Sequence, residues 1–120
     1  MYNNYQELSK ADKKIVRELI EKGITEHFRR GVQQFDDLIQ QLKDSSKTPK
    51  EQYHELFSEV IDFDKHIAEL YDGRTGSRYL LILANQIFLT LVDETELEKL
   101  SPDTKEKLLG DVRFMRKMHS

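Results

Sequence analysis

The 120-residue chain has no cysteine, which excludes a disulfide-stapled scaffold, a thiolate zinc site and a cysteine nucleophile. It has only two prolines, Pro49 and Pro102, and each follows a hydroxyl residue at a place where a helix can begin, so neither has to break one. No stretch alternates apolar and polar residues with β-branched enrichment, so no strand is expected. The N-terminal residues MYNNYQELSKADKK lack the apolar core of a secretory signal, and the expected compartment is the cytoplasm. The longest charge-free run, Tyr79 to Val92, spans 14 residues. That is short of the roughly 20 needed to cross a bilayer, so no transmembrane segment is expected. Excess charge of one sign is missing as well. The net charge of −3 divides into local balances of +2 over residues 1–50, −7 over 51–100 and +2 over 101–120. Without a basic face able to neutralise several phosphates, nucleic acid is an unlikely partner.

The run YLLILANQIFLTLV is apolar on nearly every side of a helical wheel, and such a helix belongs at the centre of a bundle or in a subunit interface. Around it the chain reads as amphipathic helices. Ser9 and Asp12 form a variant N-cap signature. From there apolar positions recur from Ile15 through Val16, Leu19, Ile20, Ile24, Phe28, Val32, Phe35, Leu38 and Ile39 to Leu42, a helix about 50 Å long if unbroken. At 100° per residue the early members of this stripe centre about 120° from the late ones. Gly23 and Gly31 fall at the crossover, so either the helix bends there or its halves pack on different neighbours. Thr48, Pro49 and Glu51 combine a capping box with proline at the first helical position and open a second helix through about Tyr71. Its expected inner face is Tyr53, Leu56, Phe57, Val60, Phe63, Ile67, Leu70 and Tyr71. Gly73 is a candidate C′ stop, and Thr75 or Ser77 could cap the apolar helix. Asp93 with Glu96 repeats the capping box before Leu97 and Leu100. Ser101 and Pro102 start a last helix bearing Leu108, Leu109, Val112, Met115 and Met118. The expected fold is all-α: a four-helix bundle with a long bent first helix and a largely buried, apolar third helix. Residues 1–120 form one domain, with 1–8 and 44–48 flexible.

Several polar residues stand out against this frame. Glu51, His54, Asp62 and His66 have a superficial likeness to helical metal ligands, but the wheel places them opposite Tyr53, Val60 and Ile67, on a solvated face. No metal or cofactor is assigned. Asp64 falls among Phe57, Val60 and Tyr71, where a carboxylate must be paired or shift its pKa; it is either a ligand-binding or catalytic acid or half of a structural ion pair that fixes helix register. Asn85 lies deep in the apolar run as a hydrogen-bond hub or pocket residue, whereas Gln86 shares the least apolar stripe with Tyr79, Leu83 and Thr90. His27 sits between Gly23 and Gly31 on one ridge. The two gaps suit either a notch that accepts a ligand beside a proton-carrying imidazole or a close helix crossing around a satisfied histidine. The loop DGRTGSR, with Arg74, Ser77 and Arg78 at the start of the apolar helix, could bind an anionic small molecule. It is not a P-loop, because its spacing differs and no strand precedes it. The basic, apolar tail RFMRKMHS could lie on a partner or a membrane, although three positive charges are few.

No catalytic residue is assigned. Ser-His-Asp order, paired inward carboxylates and a glycine-rich dinucleotide loop are all missing, and the chain leans away from an enzyme. The least implausible enzyme would be a hydrolase or transferase using His27 and Asp64. The expected function is a small cytosolic protein-interaction or regulatory module that self-associates, as a homodimer. The alternative is a small-molecule or phosphate-binding domain using Arg74, Ser77 and Arg78, with Asp64 or His27 beneath.

Overall fold

The computed structural model describes residues 8–72 and 78–119. It is all-α, built from α1 (Lys10–Lys43), α2 (Pro49–Tyr71), α3 (Tyr79–Phe88), a 3₁₀ helix (Glu94–Lys99) and α4 (Pro102–Met118). Among the described residues no strand occurs, and no helix is long and apolar enough to cross a membrane. The chain divides into two compact units, one holding the described residues through Glu26 and from Arg78 onward, the other His27–Asp72. α1 keeps its helical assignment through both Gly23 and Gly31. Its two apolar stripes diverge because its two halves belong to different units.

In the first unit Ser9 caps α1 by accepting a hydrogen bond from Asp12 N–H at 3.0 Å. Val16, Leu19 and Ile20 of α1 are buried, as are Leu80, Ile82, Leu83 and Ile87 of α3, Leu97, and Leu108 and Val112 of α4. α3 packs on α4. Enclosure of α3 is nearly complete, with only Leu81 strongly exposed. The helix is shorter than the apolar run that encodes it. It ends at Phe88, where Leu91 N–H donates to Gln86 C=O at 2.8 Å and Thr90 N–H to Ile87 C=O at 2.9 Å. This is a Schellman closure with Thr90 in the left-handed position at φ 61°. Glycine usually takes that position, and a β-branched residue there costs on the order of 1–2 kcal/mol. The sequence offered no glycine to mark the stop. Leu91 and Val92 remain buried beyond it, so the run is one apolar segment in two conformations.

The next two caps also depart from expectation. Asp93 does cap, accepting from Thr95 N–H at 2.9 Å, but the segment it opens is 3₁₀, and Glu96 pairs with Lys22 of α1 at 2.6 Å rather than reaching back to close a box. At α4, Ser101 forms no side-chain cap of its own. The buried Asp12 of α1 takes over. Its Oδ1 accepts from Ser101 N–H at 3.1 Å, and its Oδ2 accepts from Ser101 Oγ at 2.5 Å and Thr104 Oγ1 at 2.7 Å.

The second unit is a two-helix hairpin. Leu42 C=O accepts from Gln52 Nε2 at 3.0 Å, Gly31 lies against the Phe63 ring, and Tyr71 bonds His27, so residues advancing along α1 meet residues receding along α2. The helices run antiparallel. Residues 44–48, expected to be flexible, form a hydrogen-bonded connection: Ser45 Oγ donates to Leu42 C=O at 2.6 Å, and Gln52 Nε2 also donates to Lys47 C=O at 2.9 Å. The capping box at Thr48 forms as expected, with Glu51 N–H donating to Thr48 Oγ1 and Thr48 N–H to Glu51 Oε1.

Candidate functional site

The hairpin has two unlike sides, and the helical repeat explains both. Its contact line runs through His27, Gly31, Phe35 and Leu42 on α1 and through Gln52, Leu56, Phe63 and Leu70 on α2, residues that are all buried or half-buried. The residue after each contact is rotated by about 100°. In antiparallel helices that rotation carries both sets to the same side of the pair. Phe28, Val32 and Asp36 occupy that side from α1, and Tyr53, Phe57, Val60 and Asp64 from α2, with Ile61 at its outer edge. All are exposed, Val32 at 67% and Tyr53 at 60%. Residues that precede a contact turn the other way. They include Arg30, Gln34 and Gln41 on α1 and Glu55, Asp62 and Glu69 on α2, and this polar side holds an open groove around Arg30, Gln34, Asp37 and Glu59.

The expected inner face of α2 is therefore displaced. Tyr53, Phe57 and Val60, read as core, lie on the exposed apolar side, because a single helical partner can cover only one strip of α2. Asp64 follows Phe63 and is exposed, so the buried carboxylate expected at this position is not found. Its neighbours Phe57 and Val60 are exposed with it.

His27 is buried at 8% exposure. Its Nδ1 shares a 2.8 Å hydrogen bond with the hydroxyl of Tyr71, the last residue of α2. The edges of Phe63, Tyr71 and the otherwise exposed His66 close around the imidazole, with ring centroids 5.9, 5.6 and 5.3 Å away. At Gly31 a Cβ would overlap the Phe63 ring, and at Gly23 it would lie 2.6 Å from Gln86 Cδ and 2.9 Å from Val92. Both gaps along the ridge are filled, so the geometry is that of a close crossing around a hydrogen-bonded histidine.

Burial, then the positive charges of His66 and Arg30, hold His27 below the ordinary histidine range. A base with a depressed folded pKa is neutral in the fold while the unfolded chain still binds a proton. Its contribution is therefore complete above the unfolded value near 6.5 and is lost as pH falls toward the folded pKa. Unfolding free energy should drop below pH 6.5 by up to about 1.4 kcal/mol per pH unit. His27→Gln, measured by urea unfolding across pH 4.5–7.5, should flatten that slope; an unchanged slope would show that another group titrates.

Asn85 and Gln86 exchange their expected places. Asn85 is half-buried and donates within its own helix to Leu81 C=O at 3.0 Å. Gln86 is fully buried and reaches α1, where its Nε2 donates to Ile20 C=O at 3.0 Å. The available signal was Gly23, a gap one turn from Ile20 large enough for an amide. Arg78 is half-buried at the N-terminal end of α3. Arg74 and Ser77, the rest of the candidate anion loop, lie outside the described residues, as do Gly73 and Thr75. Among the described residues no cluster of three or more histidine and carboxylate side chains could hold a metal ion. At the other end of the chain, Phe114 and Met118 of α4 are exposed.

Compared with known proteins, the chain matches no protein-family model, no curated protein and no solved structure.

Proposed function

We propose that the protein is a non-enzymatic interaction module that works by self-association, and that the apolar side of the hairpin is its contact surface. One observation carries this proposal. Six of the large apolar residues in a two-helix unit, Phe28, Val32, Tyr53, Phe57, Val60 and Ile61, remain exposed on one side, whereas the other side is polar. Scattered surface leucines need no explanation, but a contiguous aromatic and aliphatic face marks an interaction site. A hairpin with one apolar face has the same need as an amphipathic helix: a second apolar surface to cover it.

The experiment is a mass measurement. Light scattering on a gel-filtration column, over roughly a hundredfold range of concentration, should give twice the 14.2 kDa chain mass. Phe57→Glu should return it to the single-chain mass with helical circular dichroism unchanged, since Phe57 is 53% exposed and contributes little to the core. A wild-type protein that stays at the single-chain mass at high concentration would refute the proposal.

A further inference from the structure

Resting on the self-association proposed above, we infer that two copies of the hairpin meet face to face and antiparallel, about a two-fold axis that passes Phe57, with Lys50 of each copy paired to Asp64 of the other. The occupant of the apolar face is a second copy of this chain, and α2 of one copy lies along α2 of its mate.

The exposed strip of α2 carries the argument. Lys50, Tyr53, Phe57, Val60 and Asp64 recur at three- and four-residue spacing and so share one side of the helix, and all five are exposed. Apolar residues thus lie between a cation at the N-terminal end and a carboxylate at the C-terminal end. Reversing the strip about Phe57 carries Lys50 onto Asp64, since each stands seven positions from it, and carries Tyr53 onto Val60 and Ile61. An isologous contact requires such a pattern, because the axis sets each residue against the reversed sequence of its own strip. Lys50 and Asp64 have no ionic partner within the chain among the described residues. They cannot serve each other either, being about 21 Å apart along one helix at 1.5 Å per residue.

Area makes a second copy an adequate occupant. At about 150–250 Å² for a large side chain, the fractional exposures of the six apolar residues amount to on the order of 600 Å². That is the upper end of what a monomer exposes in one patch. Two such faces supply roughly 1,200 Å² of apolar surface before any rim is counted, and a specific interface needs about 1,200–2,000 Å² in total.

The charges select the direction of the axis. Leu42 C=O accepts from Gln52 Nε2, so Lys43 and Lys50, both exposed, stand nearly level at the connected end of the hairpin. Gln34 donates to Glu59, so Asp36 and Phe57 are nearly level too. An axis along the helices would keep every residue at its height and lay α2 of one copy over α1 of the other. Lys50 would then fall on Lys43 twice per dimer, and Phe57 would cover Asp36 with no cation beside it, both unfavourable. An axis across the helices inverts the heights instead. Lys50 then meets Asp64 twice, and Ile39 and the stem of Lys43 lie over Val32 and Phe28 of the other copy. Asp36 lies near the axis and faces its own counterpart, one like-charge contact against two opposite-charge pairs.

Charge reversal tests the pairing. Lys50→Glu and Asp64→Lys, each alone, put like charges together twice per dimer and should raise the dissociation constant by about tenfold or more. Lys50→Glu adds an acid to the first turn of α2, where the helix dipole favours one, so weaker association from it is not a folding defect. The double variant Lys50→Glu, Asp64→Lys exchanges the charges and restores both pairs. Sedimentation velocity of the double variant should return the dissociation constant to within about threefold of wild type. Because the two positions are too far apart to meet within one chain, that rescue can act only between copies. Tighter association of Lys50→Glu would overturn the inference, since it would set Lys50 against Lys43 and turn the axis along the helices. A double variant no better than the single ones would overturn it as well. Single variants that dimerise like wild type while Phe57→Glu does not would leave self-association standing and reject this pairing. A wild type that stays monomeric refutes the self-association proposal itself, and the inference with it.

Discussion

Asp12→Ala is expected to lower the unfolding free energy by about 3–5 kcal/mol, a large fraction of the 5–15 kcal/mol available to a domain of this size. Asp12 is 3% exposed, and one carboxylate there serves three donors at the start of α4: Ser101 N–H, Ser101 Oγ and Thr104 Oγ1. Deleting it removes three charge-assisted hydrogen bonds and leaves the first turn of α4 without a cap. Asp12→Asn keeps the shape and one acceptor oxygen, so it should lose markedly less. Burial by itself would push the Asp12 carboxyl up, but the bonds from Ser101 and Thr104 outweigh it and hold the group below its ordinary 3.8. Its contribution is therefore present above pH 3.8 and fades as pH falls toward the folded pKa, a window below that of His27. Urea unfolding at pH 7 is the measurement. A loss under about 1 kcal/mol from Asp12→Ala would mean that water replaces the carboxylate freely.

Gly23→Ala should cost about 2–4 kcal/mol even though alanine is intrinsically the better helix former by about 1 kcal/mol. The new methyl would lie 2.6 Å from Gln86 Cδ and 2.9 Å from Val92 Cγ2. Gln86 would have to withdraw from Ile20 C=O, leaving a buried amide without that bond. A double-mutant cycle isolates the Gln86 share of this cost. In a Gln86→Ala background the nearer obstruction is gone while Val92 Cγ2 remains at 2.9 Å, so Gly23→Ala should cost markedly less than in the wild type. Equal costs in the two backgrounds would show that the glycine is needed for some other reason.

These two expectations differ in how far the sequence alone could reach them. Helix starts at Ser9 and Thr48 were readable because a cap is a local event, a side-chain oxygen and a backbone N–H within three residues, and the start at Pro102 because proline suits the first helical position. The drift of the α1 stripe was readable too, since a helical repeat needs no tertiary knowledge, and it correctly signalled two sets of neighbours. Other features were hidden. Asp12 looked like an ordinary first-turn acid of α1, and nothing within three residues reveals that it turns away to cap α4 almost ninety positions later. Gln86 looked easier to expose than Asn85, because a wheel gives direction but not which direction is enclosed. α3 was read too long for the same reason: Thr90 is locally a poor stop, and closure there depends on Leu91 and Val92 gaining burial.

The apolar hairpin face shows the same division. Sequence placed Tyr53, Phe57 and Val60 on the apolar side of α2, and that side exists. It could not say that the second half of α1 would pack on α2 through Phe63 and leave Phe57 exposed. What the sequence determined by itself was the all-α class, the helix starts and the amphipathic pattern, because capping and periodicity act within a few residues along the chain. What only the tertiary structure decided was which apolar stripe is covered, which polar group is enclosed and which face is left over. Those outcomes depend on contacts between segments distant in sequence, where the relative rotation of two helices by a single residue exchanges core for surface.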